Sequence, residues 1–260
     1  MERLVLAYSG GPASSVAIPW LREELQADVV TVTVDLGQHE SLEGIRVRAL
    51  ASGAVRAHVL DRRDVFARHH LLPAVQAGAI DIDSEDVLAT LARPLIAHAL
   101  VEIALIEGTR VVAHAATGTD DRDRFAAAVE ALDAGIQVID VANRWTLGPS
   151  DLAAYARARG IPLPHAATDA PASRPAPLMP VLVAIDFRAG VPVKINGVEM
   201  DLVELLTSLD TIAATQGVAG SVVLGLAYHA LEERVGSAPV TGGEKVSVFN
   251  GASEVVTHVS

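Results

Sequence analysis

The stretch AYSGGPASS, residues 7–15, sets two adjacent glycines, Gly10 and Gly11, among three serines, Ser9, Ser14 and Ser15. Adjacent glycines let a backbone turn approach an anion closely, because no Cβ intervenes and left-handed φ values are open to them. If a helix starts just beyond, its first N–H groups have no intrahelical partner and face the anion, and the helix dipole adds to the attraction. Serine hydroxyls contribute further donors. Together these groups suit the binding of a phosphate. The spacing is neither G-x-x-x-x-G-K-[ST] nor G-x-G-x-x-G, so this is neither a Walker loop nor a dinucleotide fingerprint. A tight turn without a ligand would use the same two glycines.

A second group, TGTDDRDRF (117–125), brings Thr117, Asp120, Asp121 and Arg124 close together in the chain. Its acids and arginines suit either a polar ligand or a capped helix start, with Thr117 or Thr119 as the cap. Asp35 closes a Val-rich run before Leu36-Gly37, where a ligand contact and a turn aspartate are both at home. His114 ends an apolar run and is expected to be a strand-end or core histidine. His69 and His70 are neighbours, and on a helix their side chains would diverge by about 100°, so a shared metal is not expected. The chain has no cysteine, which removes disulfides, thiolate metal sites and a cysteine nucleophile. No metal ligand is assigned.

The elements that must position these groups follow from periodicity. The runs at 3–8, 29–35, 56–60, 110–115 and 137–141 are short and Val/Ile-rich, as parallel strands covered on both faces are. Stretches at 17–26, 42–51, 87–107 and 122–132 have helical spacing. This alternation predicts an α/β fold with a doubly wound parallel sheet and any ligand at the carboxyl ends of the strands. The glycine turn stands at such an end. Six of the thirteen prolines fall within 161–180, which predicts an extended connection. The domains are therefore expected at 1–165 and 181–260, joined by a linker over 166–180. The second is expected to be a smaller α+β unit. Its strands are placed at 181–187 and 191–195, turned at Arg188-Ala189-Gly190, with a further reversal at Asn196-Gly197. Helices over 202–215 and 221–234 and a strand near 245–249 complete it.

Half of the residues are apolar but only 3% are aromatic, so the core must be built mainly from Ala, Val and Leu. The apolar runs are interrupted, which predicts no transmembrane span. Passage from Met1-Glu2-Arg3 straight into a strand predicts no secretory signal. A cytoplasmic location without a membrane partner is expected. The formal net charge of −12 argues against nucleic acid, whose phosphates call for clustered Lys and Arg. Small-molecule chemistry is the better expectation.

The segment LVLAYSGGPASSVAIPWL (4–21) followed by VVTVTVDLGQ (29–38) resembles the start of the argininosuccinate synthases. The likeness continues through LARPLIAHALVEIA (91–104), VVAHAATG (111–118), DRDRF (121–125), GIPLP (160–164) and GVPVKINGVEMDLVELL (190–206). It implies an adenine nucleotide alpha hydrolase-like fold and a ligase that uses ATP and Mg2+ to join citrulline to aspartate. In that family the ureido oxygen of citrulline attacks the α-phosphate and releases pyrophosphate, and the aspartate amine then displaces AMP. By resemblance, ATP falls to Ala7, Tyr8, Ser9, Gly10, Gly11, Ser14, Ser15 and Val34. The amino-acid substrates fall to Thr90, Thr117, Asp120, Asp121 and Arg124. Homo-oligomers are expected on the same ground.

The departures from the family pattern are specific. Ala13 stands where the family loop has an aspartate, and Pro12 replaces an apolar residue and removes an N–H. The family's Lys-Gly-Asn-Asp run is contracted to Thr119-Asp120-Asp121, so a lysine is lost and an amide becomes a carboxylate. The family's serine-bearing segment after GIPLP and its substrate-site Glu and Tyr before Ser221 have no counterpart, and its C-terminal arm is expected to be absent. Two readings therefore stand: a ligase of this type acting on an amino-acid-type substrate, or a non-catalytic homologue that binds nucleotide or a partner protein. A tRNA-modifying relative would share the loop, but the acidic charge and the lack of a basic module oppose it.

Overall fold

The Val-rich runs of the first half become strands because β-branched side chains are stiff at χ1 and pack well on a pleated surface. A computed structural model describes residues 2–37, 41–80, 85–116, 119–145, 148–163, 179–236 and 239–256, with the backbone alone for 85, 86, 119–121, 149 and 150. Along the chain, β1 (Arg3–Ala7), α1 (Pro12–Leu25), β2 (Asp28–Asp35), α2 (Leu42–Ala51) and β3 (Arg56–Asp61) come first. A helical stretch follows: α3 (Arg63–Phe66), a π-helical segment (Ala67–Leu71) and α4 (Leu72–Gln76). Then come α5 (Glu85–Ile106), β4 (Val111–His114), α6 (Thr119–Leu132), β5 (Gln137–Asp140), α7 (Val141–Arg144) and α8 (Pro149–Arg159). The remainder is β6 (Val181–Arg188), β7 (Val191–Ile195), β8 (Val198–Glu199), α9 (Leu202–Ala214), α10 (Gly220–Val235), β9 (Gly242–Phe249) and β10 (Ala252–Val255).

These elements divide into two compact units. The first comprises the described residues of 2–62 and 92–163, the second those of 63–91 and 179–256. Residues 63–91, inside the 1–165 span expected for the nucleotide domain, thus pack with the second unit, and the cut falls within α5. Most of the expected linker 166–180 lies outside the described residues.

The first unit is a parallel sheet in the order β3-β2-β1-β4-β5. Alternate side chains of one strand serve opposite faces. Leu4 and Leu6 of β1 join Ile18, Leu21 and Ile45 on one side, while Val5 joins Val30, Leu100 and Val129 on the other. With so few aromatics, the contact between Trp20 of α1 and Trp145 beyond α7 is a local exception, edge to face at 6.0 Å. Residues Val87–Ile106 of α5 are, by length and composition, apolar enough to cross a membrane, although the interrupted runs predicted no span. In the fold, Ala97, Leu100, Ile103 and Ala104 are buried against Val5, Val30 and Val112.

The chain winds from β1 outward to β3, then returns to lay β4 and β5 on the other side of β1. The strand order therefore reverses between β1 and β4, which pair directly as Val5↔Val112 and Leu6↔Ala113. A crevice at the carboxyl ends of two such strands is where doubly wound sheets take ligands. The opposite end of this sheet is fastened by charge. Glu107, just past α5, has a side chain only 1% exposed, ion-paired to Arg3 at 2.9 Å and Arg56 at 2.8 Å and hydrogen-bonded to His58 at 3.0 Å.

The second unit carries an antiparallel sheet, β10-β9-β6-β7-β8. Val183, Ile185 and Phe187 of β6 are buried, as are Leu205 and Leu209 of α9 and Leu224 and Leu231 of α10. The stretch 63–80 is tied into this unit by polar contacts: His229 Nε2 donates to the Val75 carbonyl at 2.9 Å, and Gln76 donates to the Gly190 carbonyl at 3.0 Å. Asn196-Gly197 and Asn250-Gly251 both have positive φ at both positions, the geometry of tight hairpin turns. The second of these turns adds β10, a strand the sequence analysis did not anticipate.

Candidate nucleotide site at the sheet switch point

The turn that leaves β1 is built by glycine and braced by hydroxyls. Gly10 has φ +82°, a conformation strained for any L side chain. A Cβ placed there would come within 2.7 Å of Arg48 Nη2 and 3.1 Å of Ile45 Cγ1, both from α2. Gly11 is extended and caps α1 without a side-chain hydrogen bond, and Pro12 occupies the first helical turn. Ser15 N donates to the Gly11 carbonyl at 3.0 Å, closing the first helical ring. The amides of Ala13 and Ser14 precede that ring, so they are the helix-start donors left for a ligand.

The serines separate into two roles. Tyr8 and Ser15 are buried, with their hydroxyl oxygens 3.0 Å apart under the turn. Ser14 Oγ donates to the Gly11 carbonyl at 3.0 Å, and its oxygen lies 3.3 Å from Ser9 Oγ. Ser9 is exposed. The backbone beneath is fixed to β2: Tyr8 N donates to the Val32 carbonyl and Thr33 Oγ1 to the Tyr8 carbonyl, both at 2.9 Å. Of the residues assigned to ATP, Ala7 to Ser15 thus form one turn, while Val34 is buried at the end of β2.

At the neighbouring strand end, His114 is buried and meets Phe125 edge to face at 4.8 Å. Its Nδ1 accepts from Ala116 N at 3.4 Å. Burial pushes its pKa down, and Arg122 adds to this while Asp140 opposes it, so the ring is neutral near pH 7. This is the strand-end histidine the sequence suggested. Asp35 Oδ1 accepts from Gly37 N at 2.9 Å, the geometry of a turn aspartate. His70 stacks on Phe66.

The amino-acid half of the predicted site is less visible. Thr117 and the side chains of Asp120 and Asp121 lie outside the described residues. Arg124 is exposed on α6, and Thr90, on α5, belongs to the second unit. Among the described residues no group of three His, Asp or Glu could hold a metal ion. Arg48 and Thr33 were missed by sequence reasoning, because no local motif shows that either side chain reaches the turn.

A parallel sheet wound on both sides, with an uncapped helix start and a glycine turn at its switch point, defines a doubly wound α/β domain of the kind that takes ligands at that point. Residues 3–162 match the family model described as arginosuccinate synthase N-terminal HUP domain, and 165–224 match the arginosuccinate synthase C-terminal domain. The argininosuccinate synthase of Pelotomaculum thermopropionicum is 39% identical over 253 residues, covering 84% of this chain and 63% of that protein. That of Moorella thermoacetica is 38% identical over 252 residues, covering 84% and 62%. The chain belongs to the argininosuccinate synthase family. It spans somewhat over three-fifths of the length of these relatives.

Proposed function

We propose that the chain is an ATP-dependent carbon–nitrogen ligase of the argininosuccinate synthase type that forms AMP and pyrophosphate. Its expected substrates are citrulline and aspartate or close amino-acid analogues. The observation that carries this reading is the turn at Gly10–Gly11: a left-handed glycine, an uncapped helix start and an exposed serine at the carboxyl end of the central strand. Amides there would hold the phosphates, with the helix dipole favouring their charge. In this reading the ureido oxygen attacks the α-phosphate, pyrophosphate leaves, and the aspartate amine then expels AMP. Thr90, Thr117, Asp120, Asp121 and Arg124 are the residues proposed to hold the amino acids. Magnesium would neutralise the triphosphate. The ligase is proposed to act in the cytoplasm, as a homo-oligomer.

Ala13, standing where the family loop has an aspartate, favours one other reading, a homologue that binds nucleotide without turning it over. Pyrophosphate release with ATP, magnesium, citrulline and aspartate separates the two. Release dependent on an amino-acid acceptor supports the ligase. ATP binding with no release across a panel of ureido and carboxylate acceptors supports the non-catalytic homologue.

A further inference from the structure

We propose that Arg48 is a positioning residue for the phosphate turn, resting on the nucleotide reading above. The chain offers no lysine within 7–15 to offset phosphate charge, and Pro12 removes one helix-start donor. The guanidinium of Arg48 lies instead against the bare face of Gly10, with Nη2 2.7 Å from where a Cβ would stand. Ile45, one helical turn earlier on the same face of α2, touches that point from the apolar side at 3.1 Å and is itself buried. Ser41 starts α2 by accepting from Gly44 N at 3.2 Å, which fixes where these two side chains begin. Gly10 is thus held by a cation and an aliphatic side chain packed where its own side chain would be.

Two consequences follow for a bound phosphate. The packing keeps the turn at φ +82°, the shape that leaves the amides beyond it facing outward. The guanidinium also places a permanent positive charge behind the turn, where partial burial weakens solvent screening. Arg48 acts through the turn, so its loss should weaken phosphate recognition without altering recognition of the nucleoside.

The test is calorimetric titration of the full chain with Mg–ATP, inorganic pyrophosphate and adenosine, comparing native protein with Arg48→Met and Arg48→Lys. Arg48→Met keeps most of the stem and drops the charge; Arg48→Lys keeps the charge. The expected result is about tenfold weaker ATP and pyrophosphate binding for Arg48→Met, unchanged adenosine binding, and recovery of most of the loss in Arg48→Lys. If Arg48→Met does not fold by circular dichroism, Arg48→Gln replaces it with the same expectation. Equal ATP affinity in native and charge-removed protein overturns the proposal alone. So does an equal loss of adenosine, which would mark Arg48 as merely structural. No binding of ATP or pyrophosphate by the native chain overturns both this proposal and the nucleotide reading.

Discussion

The hydroxyl oxygens of Tyr8 and Ser15 meet at 3.0 Å beneath the glycine turn, both residues buried. They join the end of β1 to the first turn of α1, so the pair supports the turn from below. Tyr8→Phe and Ser15→Ala are each expected to cost about 1 kcal/mol of stability. The double variant should lose less than the sum, because each single change already breaks the bond they share. Urea unfolding of the four proteins measures this.

Gly10→Ala meets two obstacles at once. The φ of +82° penalises a side chain, and Arg48 and Ile45 already occupy the space. A loss of about 2 kcal/mol or more is expected, read as a lower urea midpoint, with weakened ATP binding in the same protein. Gly197→Ala is the control: its φ of +81° is similar, but nothing lies within 4 Å of its Cβ position. It should carry the backbone penalty without the packing penalty.

At the far end of the sheet, burial works to raise the pKa of Glu107. The hydrogen bonds from His58 and Arg56 and the charges of Arg56 and Arg3 outweigh it, and the carboxyl titrates below its ordinary value of 4.5. A folded pKa that is depressed gives stability that is complete above the ordinary value and lost as pH falls through the folded one. Stability should therefore begin to fall below about pH 4.5 through this group. Arg3 and Arg56 keep partial solvent access, so Glu107→Gln is expected to cost about 2 kcal/mol at pH 7. It should also flatten the acid limb of the unfolding free energy measured from pH 3 to 7.

Restoring a carboxylate and an amide to the turn tests what its departures do. Pro12→Leu with Ala13→Asp returns one N–H and one acid that can meet magnesium. Mg–ATP affinity is expected to rise about threefold to tenfold over the native chain, with little change when magnesium is withheld. An equal change with and without magnesium would point to the restored amide alone. Calorimetry with and without chelator separates the two.

The five strands of the first sheet were legible because Val-rich runs bounded by helical spacing have few other uses. The hairpin at Asn196-Gly197 was legible because its two residues tolerate positive φ. Asn250-Gly251 is the same pair, with positive φ at both positions, and turns the chain from β9 into β10. The placement of 63–91 with the second unit was not legible. Periodicity shows that a segment buries a face, but not which distant partner it buries it against, and the contact of Val75 with His229 joins residues far apart in the chain. Arg48 was hidden for the same reason. The serines were legible as a cluster, but only coordinates separate the buried brace of Ser15 from the exposed Ser9.

Nucleotide binding at the glycine turn is tested by a structure of the chain crystallised or soaked with Mg–ATP or a non-hydrolysable analogue. Phosphate oxygens are expected within hydrogen-bond distance of the amides beyond Gly11, with the Tyr8–Ser15 brace unchanged and Arg48 still against Gly10. A nucleotide bound elsewhere, with the turn empty at saturating ATP, would contradict it.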